Sequence, residues 1–146
     1  TKGENLKGIL TGADGTYGPE LYADGGVATT QDAGYVRMNG REVFKHAVRQ
    51  MGGGELLKQL NMNIDDIDWL VPHQANARIL SAAAKSLNIP ESKVIITVAE
   101  HANTSAASIP LALSVAVEEG RIQPGQTLYL QAFGAGFTWG EAVLTY

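Results

Sequence analysis

The sequence has 146 residues, of which 45% are apolar and 18% are charged, and its formal net charge is −4. This length and balance indicate one globular domain with a sizeable core. Because the chain contains no cysteine, disulfides, thiolate metal sites and a cysteine nucleophile are excluded within it. No apolar run is long enough for a membrane span and no leader pattern opens the chain, so we expect neither a membrane segment nor a secretory signal.

The first part of the chain combines a glycine-rich region with a broken helical pattern. Residues 1–36 are irregular, and we predict a first strand near residues 8–10 followed by a long loop. From residue 39 to residue 60, apolar side chains recur at helical spacing around a run of three glycines that begins at Gly52. Glycine costs roughly 1 kcal/mol relative to alanine inside a helix, so we expect a kink or break there.

The rest of the chain alternates short apolar runs with helical patterns. The apolar runs predict strands at residues 69–71, 94–98 and 128–133. The helical patterns cover residues 75–87 and 104–119, the second closed by Gly120 as a C-cap candidate. Strands that alternate with helices imply parallel pairing, whereas residues 139–146 follow too closely for a crossover and should pair antiparallel. The predicted fold class is therefore α/β, with a five-stranded mixed sheet in the order β-α-β-α-β-α-β-β, flanked by helices.

The segments after three predicted strands bring polar groups to one edge of this sheet. Ligands of open parallel sheets bind beyond the carboxyl ends of the strands. His73 follows one strand, Asn103 follows the next, and the Gly134-Ala135-Gly136 loop follows the third. A neutral imidazole beside a carboxamide offers two uncharged donors to a developing oxyanion, and backbone N–H groups of a glycine loop offer another such site. This combination suits thioester or acyl chemistry.

Each of these segments also has a structural interpretation. His73 could be a surface or capping histidine, and Asn103 taken alone is more typical of the N-cap of the following helix. The glycine loop could be a tight connection between strands. The convergence of three segments on one edge favours the functional interpretation. His46 and His101 have no identifiable partner, so we expect them to be structural or exposed.

Basic residues form a second pattern in this acidic chain. One set recurs every four residues and consists of Arg37, Arg41, Lys45 and Arg49. A second set, Arg78 and Lys85, is seven residues or two helical turns apart and so shares one helix face. These residues could form a solvated helix face, or they could dock an acidic partner near the pocket. Nucleic acid is disfavoured, because the net charge is negative and no aromatic platform is evident. Neither a metal-ligand spacing nor a phosphate-binding glycine motif occurs, so we expect no metal site and no nucleotide site.

Three long motifs occur in order along the chain. They are WLVPHQAN at residues 69–76, HANTSAAS at residues 101–108 and AFGAGFTWG at residues 132–140. Together they closely resemble the carboxyl-terminal half of β-ketoacyl-acyl carrier protein synthase III, the initiating condensing enzyme of bacterial and plastid fatty acid synthesis. Residues 14–18 and 38–44 fit as well. The resemblance implies one half of a thiolase fold, with residues 1–146 as the carboxyl-terminal domain.

The resemblance also implies an acyltransferase reaction. In this family, a cysteine of the amino-terminal half accepts an acyl group from acyl-CoA. Malonyl-acyl carrier protein then loses carbon dioxide, and the enolate attacks the acyl-cysteine to give 3-ketoacyl-acyl carrier protein. By motif position, His73 and Asn103 would be catalytic and would hold the malonyl thioester oxygen. Ala135 would give a backbone N–H to the acyl-cysteine oxyanion, with Gly134 and Phe133 beside it in the pocket.

The same resemblance implies partners and a location. The family docks its carrier protein on basic residues around the pocket entrance, and Lys45, Arg78 and Lys85 match such positions, with Arg41 as a neighbour. No permanently bound cofactor is implied. The family is typically a cytoplasmic homodimer, or plastidial in plants and algae. A relative with another acyl donor or acceptor, as in polyketide priming, is a further possibility within the enzyme class.

Two departures from the family pattern affect these expectations. The cysteine nucleophile and the whole amino-terminal half are missing, so we expect this chain alone to be inactive, and to self-associate through the apolar surface left uncovered. The contrasting hypothesis is a stand-alone module that binds acyl carrier protein or acyl thioesters without catalysis. In addition, Ala135 stands where the family commonly has a glycine, and alanine tolerates a positive φ poorly.

Overall fold

The computed structural model describes residues 5–146, and its main feature is a four-stranded mixed sheet. The strands of the chain are β1 (Leu6–Ala13), β2 (Leu21–Ala23), β3 (Val36–Met38), β4 (Trp69–Pro72), β5 (Thr127–Gly134) and β6 (Thr138–Thr145). The sheet has the order β1-β6-β5-β4, and β2 and β3 form a separate pair. β4 and β5 are parallel, whereas β6 is antiparallel to both β5 and β1. The predicted parallel pair and the antiparallel last strand are confirmed.

Five α-helices of the described part of the chain accompany the sheet. They are α1 (Gly40–Met51), α2 (Glu55–Gln59), α3 (Ala77–Ser86), α4 (Val98–His101) and α5 (Ser108–Glu118). The helical pattern over residues 39–60 is split at the three glycines, as predicted, and Gly54 there has a φ of +61°. Gly120, with a φ of +70°, follows the end of α5. None of the helices within residues 5–146 is both long and apolar enough to cross a membrane.

Two buried polar side chains of the sheet hold the break between α1 and α2. Gln131 of β5 and Glu141 of β6 are cross-strand partners. The Gln131 Nε2 donates to the carbonyl of Met51 at 2.6 Å, and the Glu141 Oε2 accepts from the N–H of Leu56 at 2.9 Å. The same carboxylate oxygen accepts from Tyr129, whose pKa is raised far above its usual value by burial and by this carboxylate. Because buried backbone groups need partners, these bonds determine where α1 ends and α2 begins.

The predicted strand over residues 94–98 is wrong, because this segment makes only a single bridge to β4. The N–H of Ile95 donates to the carbonyl of Leu70 at 2.9 Å. The next bond of a parallel ladder would need an N–H on Pro72, and proline has none. The side chain of Gln74 takes its place, and its Nε2 donates to the carbonyl of Ile95 at 3.0 Å. The sheet therefore has four strands and not five.

The glycine-rich region is more structured than the predicted long loop. β1 contains the predicted first strand, and a 3₁₀ turn (Gly15–Glu20) then leads into the antiparallel β2–β3 pair. These two strands have only three residues each, too few for a recognisable alternation of apolar and polar residues. Arg37 lies in β3 and pairs with Asp24, so the predicted helical basic stripe begins only at Arg41.

Helices cover both faces of the sheet. Leu70 and Tyr129 pack with residues of α2 and α3, whereas Val71 and Leu128 pack with residues of α5. Successive side chains of a strand point to opposite faces, so one helical layer lies on each side. The predicted helix over residues 104–119 begins later, at Ser108, because a 3₁₀ turn with a positive φ at Ser105 precedes it. This late start brings the first residue of α5 to the end of β4.

Candidate functional site

His73 directly follows β4 and is held at two points. Its backbone N–H donates to the carbonyl of Gln131 at 2.7 Å, which extends the parallel pairing by one bond. Its Nδ1 lies 2.6 Å from the hydroxyl oxygen of Ser108, the first residue of α5. Burial lowers the pKa of the imidazole below its ordinary value. A half-buried neutral ring therefore stands at the carboxyl end of β4, with its Nδ1 engaged and its Nε2 free of any protein partner among residues 5–146.

Gln74 fixes the backbone on which His73 stands. Its side chain is fully buried, and its Nε2 donates to the carbonyls of Pro72 and Ile95 at 2.8 Å and 3.0 Å. Its Oε1 accepts from the N–H of Thr97 at 2.8 Å. One amide therefore satisfies three buried backbone groups and joins the end of β4 to the segment that leads into α4. The position of His73 thus depends on its neighbour in sequence.

Asn103 lies on an exposed loop between α4 and α5. Its Oδ1 accepts from the N–H of Ser105 at 3.1 Å, as in an Asx turn. Because the oxygen of the amide is engaged, the Nδ2 group is the end that can donate to a ligand. The alternative that Asn103 is the N-cap of the following helix is wrong, because α5 begins after Ala107 and the 3₁₀ turn before it begins after Thr104.

The backbone around Asn103 is strained. Ala102 has a φ of +57° and a ψ of −162°, a conformation that is essentially restricted to glycine. Ser105, two residues after Asn103, has a φ of +53°. Strain of this kind costs on the order of 1–3 kcal/mol per residue, and it clusters at functional sites of proteins. The positive φ values of Ala102 and Ser105 therefore mark this loop as a candidate functional segment.

The glycine loop between β5 and β6 lies at the same edge, since β4 and β5 are parallel and both end there. Phe133 and Phe137 are buried, and their ring centroids are 4.8 Å apart. The positive φ of the loop, +135°, falls on Gly136, where a Cβ would approach Thr138 to 2.9 Å. Ala135 is exposed and is not the residue that needs the positive φ. Its replacement of a glycine is therefore compatible with the loop.

The basic residues occupy the surface between α1 and α3. Arg41 and Arg78 line a shallow depression of about 380 Å³ together with Phe44, and the Arg78 guanidinium lies 5.9 Å from the Phe44 ring centroid. Arg78 also lines a second shallow depression on α3 with Lys85. Lys45 is exposed, but its Nζ lies 3.3 Å from a carboxylate oxygen of Glu42. Arg41, Arg78 and Lys85 thus form a continuous basic surface, which we call the basic groove, and Lys45 lies beside it.

The two remaining histidines differ from each other. His46 is buried in α1, with its ring centroid 4.2 Å from that of Tyr17 and 5.4 Å from that of Phe137. It packs between α1 and the glycine loop, which agrees with a structural role. His101 is half-buried, and its Nδ1 has no hydrogen-bond partner among residues 5–146. Within those residues, no three histidine or carboxylate side chains are grouped closely enough to hold a metal ion.

Ser108 and Gln74 are functional candidates that sequence patterns do not reveal. Both lie inside the long motifs, but a serine at a helix start is typical of capping and a glutamine after a strand is typical of a surface. Only their burial distinguishes them, since Ser108 is 1% exposed and Gln74 is 0% exposed. A polar residue that is wholly buried needs partners: Ser108 bonds to His73 and Gln74 just after β4, and the Gln74 side chain bonds to Pro72 and to residues 95 and 97.

Comparisons with known proteins match this arrangement to one family. The family described as 3-oxoacyl-[acyl-carrier-protein (ACP)] synthase III, C terminal, matches residues 57–146. The β-ketoacyl-[acyl-carrier-protein] synthase III of Rhizorhabdus wittichii is 55% identical over 136 residues, which are 92% of this chain and 43% of that protein.

Solved structures agree with the sequence matches. The 3-oxoacyl-[acyl-carrier-protein] synthase III of Aquifex aeolicus is 39% identical with a TM-score of 0.91, over 100% of this chain and 47% of that one. The synthase III of Thermus thermophilus is 43% identical with a TM-score of 0.89, over 99% of this chain and 47% of that one. The chain therefore spans less than half the length of these relatives, and its fold is the thiolase-like α/β fold. It belongs to the 3-oxoacyl-acyl carrier protein synthase III family and corresponds to the carboxyl-terminal part of its members.

Proposed function

We propose that this chain supplies the histidine and asparagine of a Cys-His-Asn site in a condensing acyltransferase. The reaction joins an acyl group from acyl-CoA to malonyl-acyl carrier protein, gives 3-ketoacyl-acyl carrier protein and initiates fatty acid synthesis. The observation that carries the proposal is the tethering of both donors. Ser108 engages the Nδ1 of His73, and the N–H of Ser105 engages the Oδ1 of Asn103, so that Nε2 and Nδ2 are left for a ligand.

The two donors act when malonyl-acyl carrier protein loses carbon dioxide. Cleavage of the carbon–carboxylate bond leaves its electron pair on the thioester as an enolate, and negative charge develops on the thioester oxygen. The Nε2–H of His73 and an Nδ2–H of Asn103 donate to that oxygen. Both donors are neutral, since burial lowers the pKa of His73, and the imidazole therefore enters the step as a hydrogen-bond donor and not as an imidazolium acid. The site therefore stabilises the developing charge by hydrogen bonding alone.

Condensation follows on the acyl-cysteine. The enolate carbon attacks the acyl carbonyl, and the resulting oxyanion accepts from the backbone N–H of Ala135 in the glycine loop, beside Gly134 and the Phe133 ring. Collapse of this intermediate expels the cysteine thiolate and releases the 3-ketoacyl product on the carrier. The cysteine belongs to an amino-terminal half such as the longer relatives possess. No permanently bound cofactor takes part in this scheme.

The proposal assigns the basic groove to the carrier protein. Arg41, Arg78 and Lys85 present positive charge on the surface between α1 and α3, with Lys45 beside them, and an acidic carrier protein is the partner of matching charge. Arg78→Glu should raise KM for malonyl-acyl carrier protein strongly, and added salt should weaken wild-type binding. The same variant should leave KM for a malonyl thioester without a carrier unchanged. Arg49→Glu, an exposed position of α1 outside the groove, is the matched control.

The same proposal includes a contact with the amino-terminal half through α5. This helix is apolar on nearly all sides, yet only Ser108, Ala112 and Ala116 are buried, and Leu111 is 37% exposed. A helix that is apolar all round is typical of a buried position. We therefore expect the isolated chain to self-associate. From the family resemblance, and not from this helix, we further propose that the complete enzyme is a homodimer in the cytoplasm, or in the plastid for a plant or algal source. Light scattering of the purified chain tests the first point, and a monodisperse monomer would contradict it.

Decarboxylation of a malonyl thioester tests the assigned roles. The chain is joined to the amino-terminal half of the Rhizorhabdus wittichii relative, and carbon dioxide release is measured for His73→Ala and Asn103→Ala. Each change should lower the rate by about 10²-fold or more, the usual effect of one oxyanion donor. His101→Ala, at the last residue of α4, is the control and should keep the rate. Full decarboxylation by His73→Ala would show that the assignment is wrong.

The alternative is a module that binds acyl carrier protein or acyl thioesters without catalysis. The absence of cysteine from the chain favours it. The joined protein decides between the two, because an acyl-enzyme adduct on its cysteine, followed by 3-ketoacyl product, requires the condensing function. Binding of carrier protein by the chain without any product from the joined protein would favour the module.

A further inference from the structure

Ser108 hydrogen-bonds both to the His73 ring and to the backbone next to it. Its Oγ lies 2.6 Å from the His73 Nδ1 and accepts from the N–H of Gln74 at 3.2 Å. The residue is 1% exposed, so solvent does not complete its hydrogen bonds. As the first residue of α5, it has its position set by the helix, and it links the end of β4 to the start of that helix. Its hydroxyl is therefore confined to these two partners.

The hydrogen-bonding capacity of the hydroxyl determines which way each bond runs. A serine hydroxyl has one proton to donate and two lone pairs to accept with. The Gln74 N–H can only donate, so it occupies one lone pair. If His73 carried its proton on Nδ1, that N–H would occupy the second lone pair, and the hydroxyl proton would have no acceptor in a buried place. If the hydroxyl donates to an unprotonated Nδ1, then the Gln74 N–H, the Ser108 hydroxyl and the His73 Nδ1 all have partners. No buried hydroxyl proton is then left without an acceptor.

We propose that Ser108 is a positioning residue that holds His73 in the tautomer with its proton on Nε2. The backbone N–H of Gln74 orients the hydroxyl, the hydroxyl donates to Nδ1, and the ring proton is thereby directed to the nitrogen that faces a ligand. The inference rests on the proposed function for its consequence in catalysis, since only the Nε2–H tautomer can donate to a thioester oxygen. The opposite tautomer would turn a lone pair toward the developing negative charge and repel it.

The same arrangement opposes protonation of the ring. An imidazolium would carry a proton on Nδ1 as well as on Nε2, and the Ser108 hydroxyl would lose its acceptor while Gln74 still occupies one of its lone pairs. Loss of this hydrogen bond on protonation therefore disfavours the imidazolium, as does burial, which lowers the pKa of His73. Ser108 therefore keeps the ring neutral and correctly oriented by a single bond.

Nitrogen NMR of the histidine rings tests the tautomer without any turnover. The full chain is labelled with ¹⁵N-histidine, and the His73 signals are assigned by their loss in His73→Gln. The spectra are taken in solution or, for a self-associated sample, by magic-angle spinning. The proposal predicts a protonated Nε2 and a pyridine-type Nδ1 at neutral pH. A wild-type ring with its proton on Nδ1 would overturn it, whatever the outcome of activity assays.

Variants of Ser108 supply the second readout. Ser108→Ala should produce a mixture of tautomers, and in the protein joined to an amino-terminal half it should lower kcat for decarboxylation by about tenfold, the factor that one ordinary hydrogen bond sets, with KM unchanged. Ser108→Thr keeps the hydroxyl and should restore both readouts. Ser114→Ala, on an exposed face of the same helix, is the control. If Ser108→Ala keeps the wild-type tautomer and kcat, the proposal is wrong.

These outcomes are distinguishable from failure of the proposed function. An Nε2–H tautomer in a protein whose His73→Ala variant decarboxylates normally would leave the inference intact and overturn the catalytic role. An Nδ1–H tautomer in a protein that needs His73 would do the reverse. Should Ser108→Ala fail to fold, the wild-type spectrum and the Ser108→Thr variant still decide the point.

Discussion

The two donors of the candidate site are held by different means. His73 stands on the end of a buried strand, and its position follows from the hydrogen bonds of the buried residues Gln74 and Ser108. Asn103 stands on an exposed loop whose backbone is strained at Ala102 and Ser105. One donor is fixed by buried polar contacts that the fold supplies, whereas the other is fixed by local backbone geometry. Loss of the buried contacts near His73 should therefore lower the stability of the whole domain, whereas loss of the Asn103 donor should lower activity and leave stability unchanged.

The largest effect should come from the buried side chain next to His73. Gln74→Leu removes the partners of three backbone groups, the carbonyls of Pro72 and Ile95 and the N–H of Thr97. Each unsatisfied buried group costs about 1–3 kcal/mol, so we expect a loss of at least ~3 kcal/mol of unfolding free energy. Urea denaturation measures it. Gln123→Leu, at an exposed glutamine, should change stability by less than about 0.5 kcal/mol, and equal effects of the two would contradict this account.

A change at Asn103 should separate activity from stability. Asn103→Asp keeps the oxygen that accepts from Ser105 but removes the Nδ2 donor and places a negative charge beside the developing oxyanion. Decarboxylation by the joined protein should fall by at least about 10²-fold, while the midpoint of urea denaturation stays unchanged. A large loss of stability would mean that this loop is held by the fold, like His73, and not by its own geometry.

Relief of backbone strain should give a smaller effect of the opposite sign. Ala102→Gly places glycine where φ is +57° and ψ is −162°. The strain removed is on the order of 1–3 kcal/mol and the extra entropy of the unfolded glycine costs about 0.5–1 kcal/mol, so we expect a net gain of about 1 kcal/mol. Ala106→Gly, in the adjacent 3₁₀ turn, carries the entropy cost without the relief and should destabilise the protein. The change in thermal stability is measured for both variants. Destabilisation by Ala102→Gly would show that Ala102 is not strained.

The smallest effect concerns pH. Burial lowers the pKa of His73 in the folded state, so the unfolded chain binds the proton more readily. The stability contributed by the neutral ring is present above the ordinary imidazole pKa of about 6.5 and is lost as pH falls from there through the lower folded pKa. Urea midpoints measured across this range should decline with acid in the wild type and decline less in His73→Gln.

The sequence predicted the elements whose signals are local, and it failed where distant residues decide. The split at Gly52 and the pairing of the last strand follow from glycine propensity and loop length, and both are confirmed. The strand over residues 94–98 failed, because its apolar run is strand-like while Pro72, more than twenty residues away, lacks the N–H that would extend the ladder. No pattern within the run itself reveals this.

The residues of the candidate site also differ in how far the sequence predicts them. His73 and Asn103 could be chosen from residue type and position after a predicted strand. Ser108 could not, since its importance lies in a contact across 35 positions of sequence with a histidine in another motif. The basic pattern predicts a helical stripe that starts at Arg37, but Arg37 lies in β3 and pairs with Asp24, so it does not belong to the stripe. Side chains whose partners are remote in sequence are thus the ones that need the structure.

The most direct test of the central claim is a double-mutant cycle on malonyl-thioester decarboxylation. The joined protein is assayed as wild type, His73→Ala, Asn103→Ala and the double variant, with single-turnover release of carbon dioxide as the readout. Two donors that serve one oxygen act as a unit, so we predict that the double variant loses little more rate than either single variant. Losses that multiply fully would mean that the two side chains act on separate events, and would contradict the paired-donor site.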